Sequence, residues 1–150
     1  MVCKPKAADK TVYDAEFSFR RILENQYEVP LLKIAGSTVR VSRERKFGDI
    51  ESAQNYCNLM TKKFNLSPVE VVKGRSDGRY ATMGGGVMTL PPFALRESVV
   101  LHELAHHYST VSGHGEMFTA KFIELVHYAM GAEAAFILRI SFYEMGVKVA

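Results

Sequence analysis

The sequence, 150 residues long, predicts an α+β fold. Three observations point there. Short stretches in the middle of the chain alternate apolar and polar residues and are bounded by glycine or proline, the signature of strands. Apolar residues at three- and four-residue spacing mark helices on either side. The last third then reads as three helices in succession with no strand among them, so helices and strands are partly segregated. The length suits one compact domain with a real core. The expected boundaries are a polar tail over 1–10 and a single domain over 11–150.

From the N-terminus, Thr11 to Gln26 reads as a helix with Val12, Phe19, Ile22 and Leu23 toward the core, and Pro30 breaks the pattern. Ser37 to Arg43 alternates, Val39 and Val41 facing one way and Thr38, Arg40 and Ser42 the other. Asp49 is a plausible N-cap for a helix whose stripe is Ile50, Ala53, Tyr56, Cys57, Met60 and Phe64. Asn65 and Pro68 end it. Val69 to Lys73 is a second short strand, followed by a turn at Ser76-Asp77-Gly78. Gly84-Gly85-Gly86 lacks the Gly-Lys-Ser/Thr of a phosphate loop and opens no helix, so it reads as a flexible lead-in to the strand Val87 to Leu90. Pro91 and Pro92 cannot donate ladder hydrogen bonds and close that strand. Helices are expected at 94–109, 115–130 and 132–145, with Gly113 and Gly131 as breaks.

Composition narrows the function classes. Apolar content of 47% and charged content of 23% are those of an ordinary globular protein. The net charge of +3 is mild. Lys4, Lys6, Lys10 and the run Arg43-Glu44-Arg45-Lys46 read as solvated surface, and aromatic residues do not interleave with basic ones, so nucleic acid is not an expected partner. The two cysteines, Cys3 and Cys57, form no C-x-x-C pair, and Cys57 falls on a core stripe. MVCKPKAADK has no apolar signal-peptide core and no apolar run reaches membrane-spanning length, so the expected location is the cytoplasm, with no membrane partner. The oligomeric state is left open.

The chemistry concentrates in LHELAHHYSTVSGHGEMF, Leu101 to Phe118, which holds four of the five histidines. At about 100° per residue, His102 and His106 fall within about 40° of each other on a helix whose body is apolar nearly all round. Such a helix is buried, and two imidazoles and a carboxylate on it need partners. A divalent metal suits this spacing, because residues four apart stand one turn apart on one face. Glu103 lies beside that face, placed to take a proton from a water rather than to ligate. A catalytic zinc site needs a third protein ligand. His114 lies on the margin of the next helix's apolar stripe (Phe118, Phe122, Leu125, Val126 and Ala129), facing the first helix. Glu124 is its rival but points toward solvent. His127 lies on the outer face. His107 is turned about 100° from His106, which favours a supporting role over ligation. Tyr108 reads as core.

These residues resemble the zincin metallopeptidases. LHELAHHY looks like their active-site helix, and His114 to Phe118 looks like the His-x-x-x-Phe third-ligand segment of SprT-like and Spartan-like proteases. A wider resemblance joins VYDAEF (12–17), IAGSTVRVSRERKFGDIESAQNY (34–56), LRESVVLHELAHHY (95–108) and GAEAAFILRISFYEMGV (131–147) to a small, uncharacterised family of metallohydrolases from actinobacteria and their phages. The resemblance implies a minimal zincin-like fold, with a small, mostly antiparallel sheet packed on the active-site helix. It implies one Zn²⁺ held by His102, His106 and His114, with Glu103 as catalytic base. In zincins a strand just before the active-site helix binds extended peptide along its edge. Val87 to Leu90 sits where that strand belongs, which makes Gly86, Val87, Met88 and Thr89 the expected substrate-binding residues. Tyr80 and Arg139 are the candidates for stabilising an oxyanion. The expected function is a small zinc-dependent metallopeptidase acting on a peptide or protein substrate. Two alternatives stand beside it: a zinc-stabilised binding or regulatory protein without catalysis, and a DNA-associated protease of Spartan-like type. The intact Glu103 favours the first, and the mild charge disfavours the last.

Overall fold

The computed structural model describes residues 7–24, 32–34, 37–39, 43–110 and 113–150. In chain order the elements are α1 (Ala7–Glu24), β1 (Leu32–Ile34), β2 (Ser37–Val39), α2 (Ile50–Lys63), β3 (Glu70–Lys73), β4 (Thr82–Gly84), β5 (Val87–Leu90), a single 3-10 turn (Pro92–Ala94), α3 (Glu97–Ser109), α4 (Glu116–Met130) and α5 (Ala132–Glu144). The order is the α+β layout that the periodicities imply. The chain forms two compact units, one drawn from 1–44 and 112–150, the other from 45–111.

In the first unit α5 packs against both α1 and α4. Helix α1 buries Val12, Ala15, Glu16, Phe19 and Leu23, a three-and-four spacing that lays one stripe inward, while Ile22 on its margin is half-buried. It starts at Ala7, inside the expected tail, because Ala7 and Ala8 are the strongest helix formers and extend the helix one turn. Its expected end at Gln26, and Pro30, lie outside the described residues. Strands β1 and β2 pair antiparallel, Leu32 opposite Val39 and Ile34 opposite Ser37. Three residues of β1 are too few for alternation to register in the sequence; residues 40–42 of the expected strand lie outside the described ones. Phe118, Phe122 and Phe142 form an aromatic ladder with centroids 5.7 and 6.3 Å apart, the rigid centre of this unit. The Thr119 hydroxyl donates to the Lys148 carbonyl at 2.7 Å and ties the C-terminal tail onto α4.

The second unit holds the three-stranded sheet and the helices α2 and α3. Asp49 caps α2 as expected: its carboxylate accepts from the Ser52 N–H at 2.8 Å, and this bond holds its pKa below the ordinary value. Ala53, Tyr56, Cys57 and Met60 are buried on the predicted stripe. The sheet order is β3-β5-β4, with β3 parallel to β5 and β4 antiparallel to it. Two expectations change here. The sheet is mixed, because the connection over 74–81 carries β4 past the place that β5 then fills. And Gly84-Gly85-Gly86 is no flexible lead-in: Gly84 pairs with Val87, and Gly85 and Gly86, at φ +58° and +77°, make the two-residue hairpin between β4 and β5. Two consecutive positive φ values match the right-handed strand twist, and glycine adopts them without strain. Consequently β5 is the central strand, paired on both sides, and not the edge expected of Val87 to Leu90.

The outer edge of β3 is also occupied. The Gln54 side chain, reaching from α2, donates to the Val69 carbonyl at 2.8 Å and accepts from the Val71 N–H at 2.7 Å, standing in for a strand. Strand β4 lies beside α3 and forms the opposite edge of the sheet.

Cys57 is fully buried, and burial pushes its thiol from the ordinary 9.0 to about 12. A pKa raised by folding means that the native state holds its proton longer than the unfolded chain. The stability this confers is complete below pH 9 and is lost as pH climbs toward 12. Urea titrations at pH 8, 9.5 and 11 should show wild type losing stability more steeply over that window than Cys57→Ala. Equal slopes would place the thiol elsewhere than in the core.

Candidate metal centre

Helix α3 is anchored at its start by a buried carboxylate. Glu97 is 3% exposed. Its Oε2 accepts from the Tyr56 hydroxyl at 2.6 Å and its Oε1 from the Arg45 N–H at 3.2 Å. The backbone of 45–47 runs beside 95–97, with Glu97 N–H donating to the Arg45 carbonyl and Phe47 N–H to the Leu95 carbonyl, both at 2.9 Å. Burial, reinforced by the Glu97 contact, drives the Tyr56 pKa upward, so the phenol stays a donor. A carboxylate buried without partners is costly, and with these it pins the first turn. The helix therefore starts at Glu97 rather than at 94; Pro92–Ala94 forms the 3-10 turn before it.

Along α3, Val100, Leu101, His102, Glu103, Leu104 and Ala105 are buried in succession. A helix covered nearly all round is what its apolar body predicts. His102 and His106 stand one turn apart with ring centroids 5.0 Å apart and planes at 68°. Glu103 Oε1 lies 4.0 Å from His102 Nε2, both side chains almost wholly enclosed. The helix ends at Thr110, at φ +56°, and the chain turns through Gly113 (φ +87°) before α4.

His114 sits in that turn. The structure brings it together with His102 and His106: each offers one ligand atom, and these atoms all lie within 4.8 Å of one another. This is a group that can hold a metal ion. A tetrahedral zinc with bonds of about 2.0–2.1 Å keeps its ligands about 3.4 Å apart. Ring movements on the order of an ångström would close the observed spread to that value, within the range of a histidine torsion. Three neutral nitrogen donors, without thiolate, suit zinc and the neighbouring first-row metals.

The other sequence candidates are placed as follows. Glu124 is exposed on α4 and pairs with Lys121 at 3.4 Å, outside the histidine group. His127 is exposed on α4. The His107 Nε2 hydrogen-bonds to the Ser67 carbonyl at 2.8 Å, tying α3 to the loop before β3. Tyr108 is half-buried against Phe64, with centroids 5.5 Å apart. Met88 is fully buried, whereas Gly86, Val87 and Thr89 are half-buried; with both neighbours of β5 paired, the expected peptide addition along these residues has no open edge. Tyr80, 43% exposed, lies in the loop leading into β4. Arg139 is exposed and, with Glu116, Tyr143, Lys148 and the tail, lines a cleft of about 680 Å³ that includes none of the three histidines or Glu103. Sequence reasoning missed Tyr13, whose ring meets that of His114 at 5.2 Å. Its one signal was a tyrosine next to the core residue Val12.

No family model and no curated protein matches the sequence. Among solved structures, the chain is similar to the crystal structure of the metallopeptidase zymogen of Pyrococcus abyssi abylysin, at 21% identity and a TM-score of 0.43, over 68% of this chain and 100% of that one. A likeness of that degree leaves the functional reading to rest on the site itself. Among the described residues no helix is long and apolar enough to cross a membrane.

Proposed function

We propose that the protein is a small zinc-dependent metallopeptidase of zincin-like type, with residues 11–150 acting as one domain in the cytoplasm. The observation that carries this reading is the convergence of His102, His106 and His114 within 4.8 Å, with the Glu103 carboxylate 4.0 Å from His102 Nε2. A binding protein that used zinc only as a staple would have no use for an enclosed carboxylate at that place, where it needs partners to be tolerated.

When bound, a zinc ion on three imidazoles lowers the pKa of its water to around 7 and polarises a substrate carbonyl. His102, His106 and His114 would hold that ion as neutral donors. Glu103 Oε1 takes the proton of the attacking water and later delivers it to the departing amine nitrogen. The low-dielectric surroundings of α3 strengthen each of these interactions.

The substrate strand belongs on β4 rather than β5. Thr82, Met83 and Gly84 form the edge strand next to α3, and an extended peptide adding there would extend the sheet by main-chain hydrogen bonds. The opposite edge is closed by Gln54.

The test is metal analysis of the purified protein together with digestion of an unbiased peptide library. Close to one zinc per chain and cleavage that stops on chelation and returns with Zn²⁺ is the expected result. Bound zinc with an undigested library would instead leave the site as a staple, and absence of any bound metal after zinc loading would remove the reading entirely.

A further inference from the structure

His102 and His106 are held by a buried helix, but His114 is not. It stands between Gly113 and Gly115, the first at φ +87°, in the turn before α4. Glycine on both sides gives this ligand the least constrained backbone of the three. A metal ligand must nevertheless present its nitrogen at a fixed angle, and neighbouring groups usually set that angle.

Two aromatic rings flank the His114 imidazole. Phe118, one turn on in α4 and fully buried, meets it edge-on with centroids 4.8 Å apart and planes at 88°. Tyr13, from α1, meets it at 5.2 Å and 65°. Both lie inside the roughly 4.5–7 Å range over which edge-to-face ring pairs attract. Phe118 is locked by the ladder to Phe122 and Phe142. Tyr13 is carried by a helix whose buried stripe packs on α5, so its position is also fixed by the core of the unit. The phenol itself is 37% exposed, so it is not simply part of that core.

We propose that Tyr13 is a positioning residue for the metal site: with Phe118 it clamps the His114 ring, and so makes α1, from the far end of the sequence, a determinant of metal affinity. This rests on the metallopeptidase reading only in taking His114 as a ligand. The role assigned is that of the ring contact, so phenylalanine should substitute for tyrosine and an aliphatic residue should not.

The experiment compares wild type with Tyr13→Phe, Tyr13→Leu and Tyr13→Ala. Zn²⁺ affinity is measured by competition with a chromophoric chelator, and histidine ring signals are followed by NMR in the metal-free protein. Thermal unfolding of each metal-free variant reports whether the fold survives, and the leucine variant keeps apolar bulk should alanine loosen α1. Expected is a loss of about tenfold in Zn²⁺ affinity for Leu and Ala, the lower end of what groups supporting a ligand contribute, with Phe staying within about twofold of wild type. The His114 ring signals should move in Leu and Ala and hold in Phe, while those of His102 stay in place. Zinc affinity and His114 signals unchanged in the folded Leu variant would overturn the positioning role and leave the metal site standing. Wild type that takes up no zinc would instead overturn the metal site, and the role of Tyr13 with it.

Discussion

Replacing His102, His106 or His114 by alanine is expected to strip the protein of its metal while leaving it folded. Zinc bound by four protein ligands is worth about 10–16 kcal/mol in small domains, or roughly 3 kcal/mol per ligand, so losing one of three weakens binding by on the order of a hundredfold. That is enough to leave the site empty after dialysis against a mild chelator. The fold should survive because its stability comes from other residues: Leu101, Leu104 and Val100 on α3, and the Glu97–Tyr56 pin at its start. His102 is the most demanding of the three, since its removal leaves a gap beside the enclosed Glu103 carboxylate. Metal content by elemental mass spectrometry, with circular dichroism as the control for folding, decides the matter. Glu124→Ala is the companion variant and should keep its zinc, because Glu124 is turned to solvent and paired with Lys121. Zinc kept by His114→Ala and lost by Glu124→Ala would exchange the third ligand.

The pairing of His102 with His106 was legible in the sequence because its logic is local. The four-residue spacing of His102 and His106 fixes one face of a helix, and the apolar residues around them announce its burial, so neither needs knowledge of tertiary structure. The cap at Asp49, the stripe of α2 and the breaks at Gly113 and Gly131 are equally local, and each stands where the sequence puts it. What stayed hidden is non-local. Strand order cannot be read from alternation, and β5 becomes central only because β4 is carried past it before the Gly85-Gly86 turn sends the chain back. The burial of Glu97 depends on Tyr56, 41 residues earlier, whose hydroxyl donates to its carboxylate, and no local pattern marks that pairing. The Gln54 side chain closes the edge of β3 from a neighbouring helix, a role no periodicity marks. Tyr13 belongs to the same class: its partner lies at the other end of the chain.

The second large effect is expected from Glu103→Gln, which should retain zinc and fold yet lose hydrolysis by about 10²–10⁴-fold, the usual contribution of a positioned general base. Glutamine keeps the size and hydrogen-bonding shape of the side chain, so the enclosed position beside His102 is filled without a cavity. What it cannot do is accept a proton at Oε1, and it carries no charge. The comparison therefore isolates proton transfer from metal binding, which the histidine variants cannot do. It also separates the competing readings. If the metal only braces a binding surface, Glu103→Gln should change neither zinc content nor partner binding, because no proton moves. If the residue ligates instead of acting as base, zinc would fall in Glu103→Gln along with activity. Only the metallopeptidase reading predicts full zinc with lost turnover, measured on a substrate drawn from the library digest. The geometry favours that outcome: Glu103 lies one residue along α3 from His102, its carboxylate 4.0 Å from the His102 Nε2 atom. On the proposed reading, a group in that place would take a proton from a water at the histidines and would leave an ion to the three imidazoles.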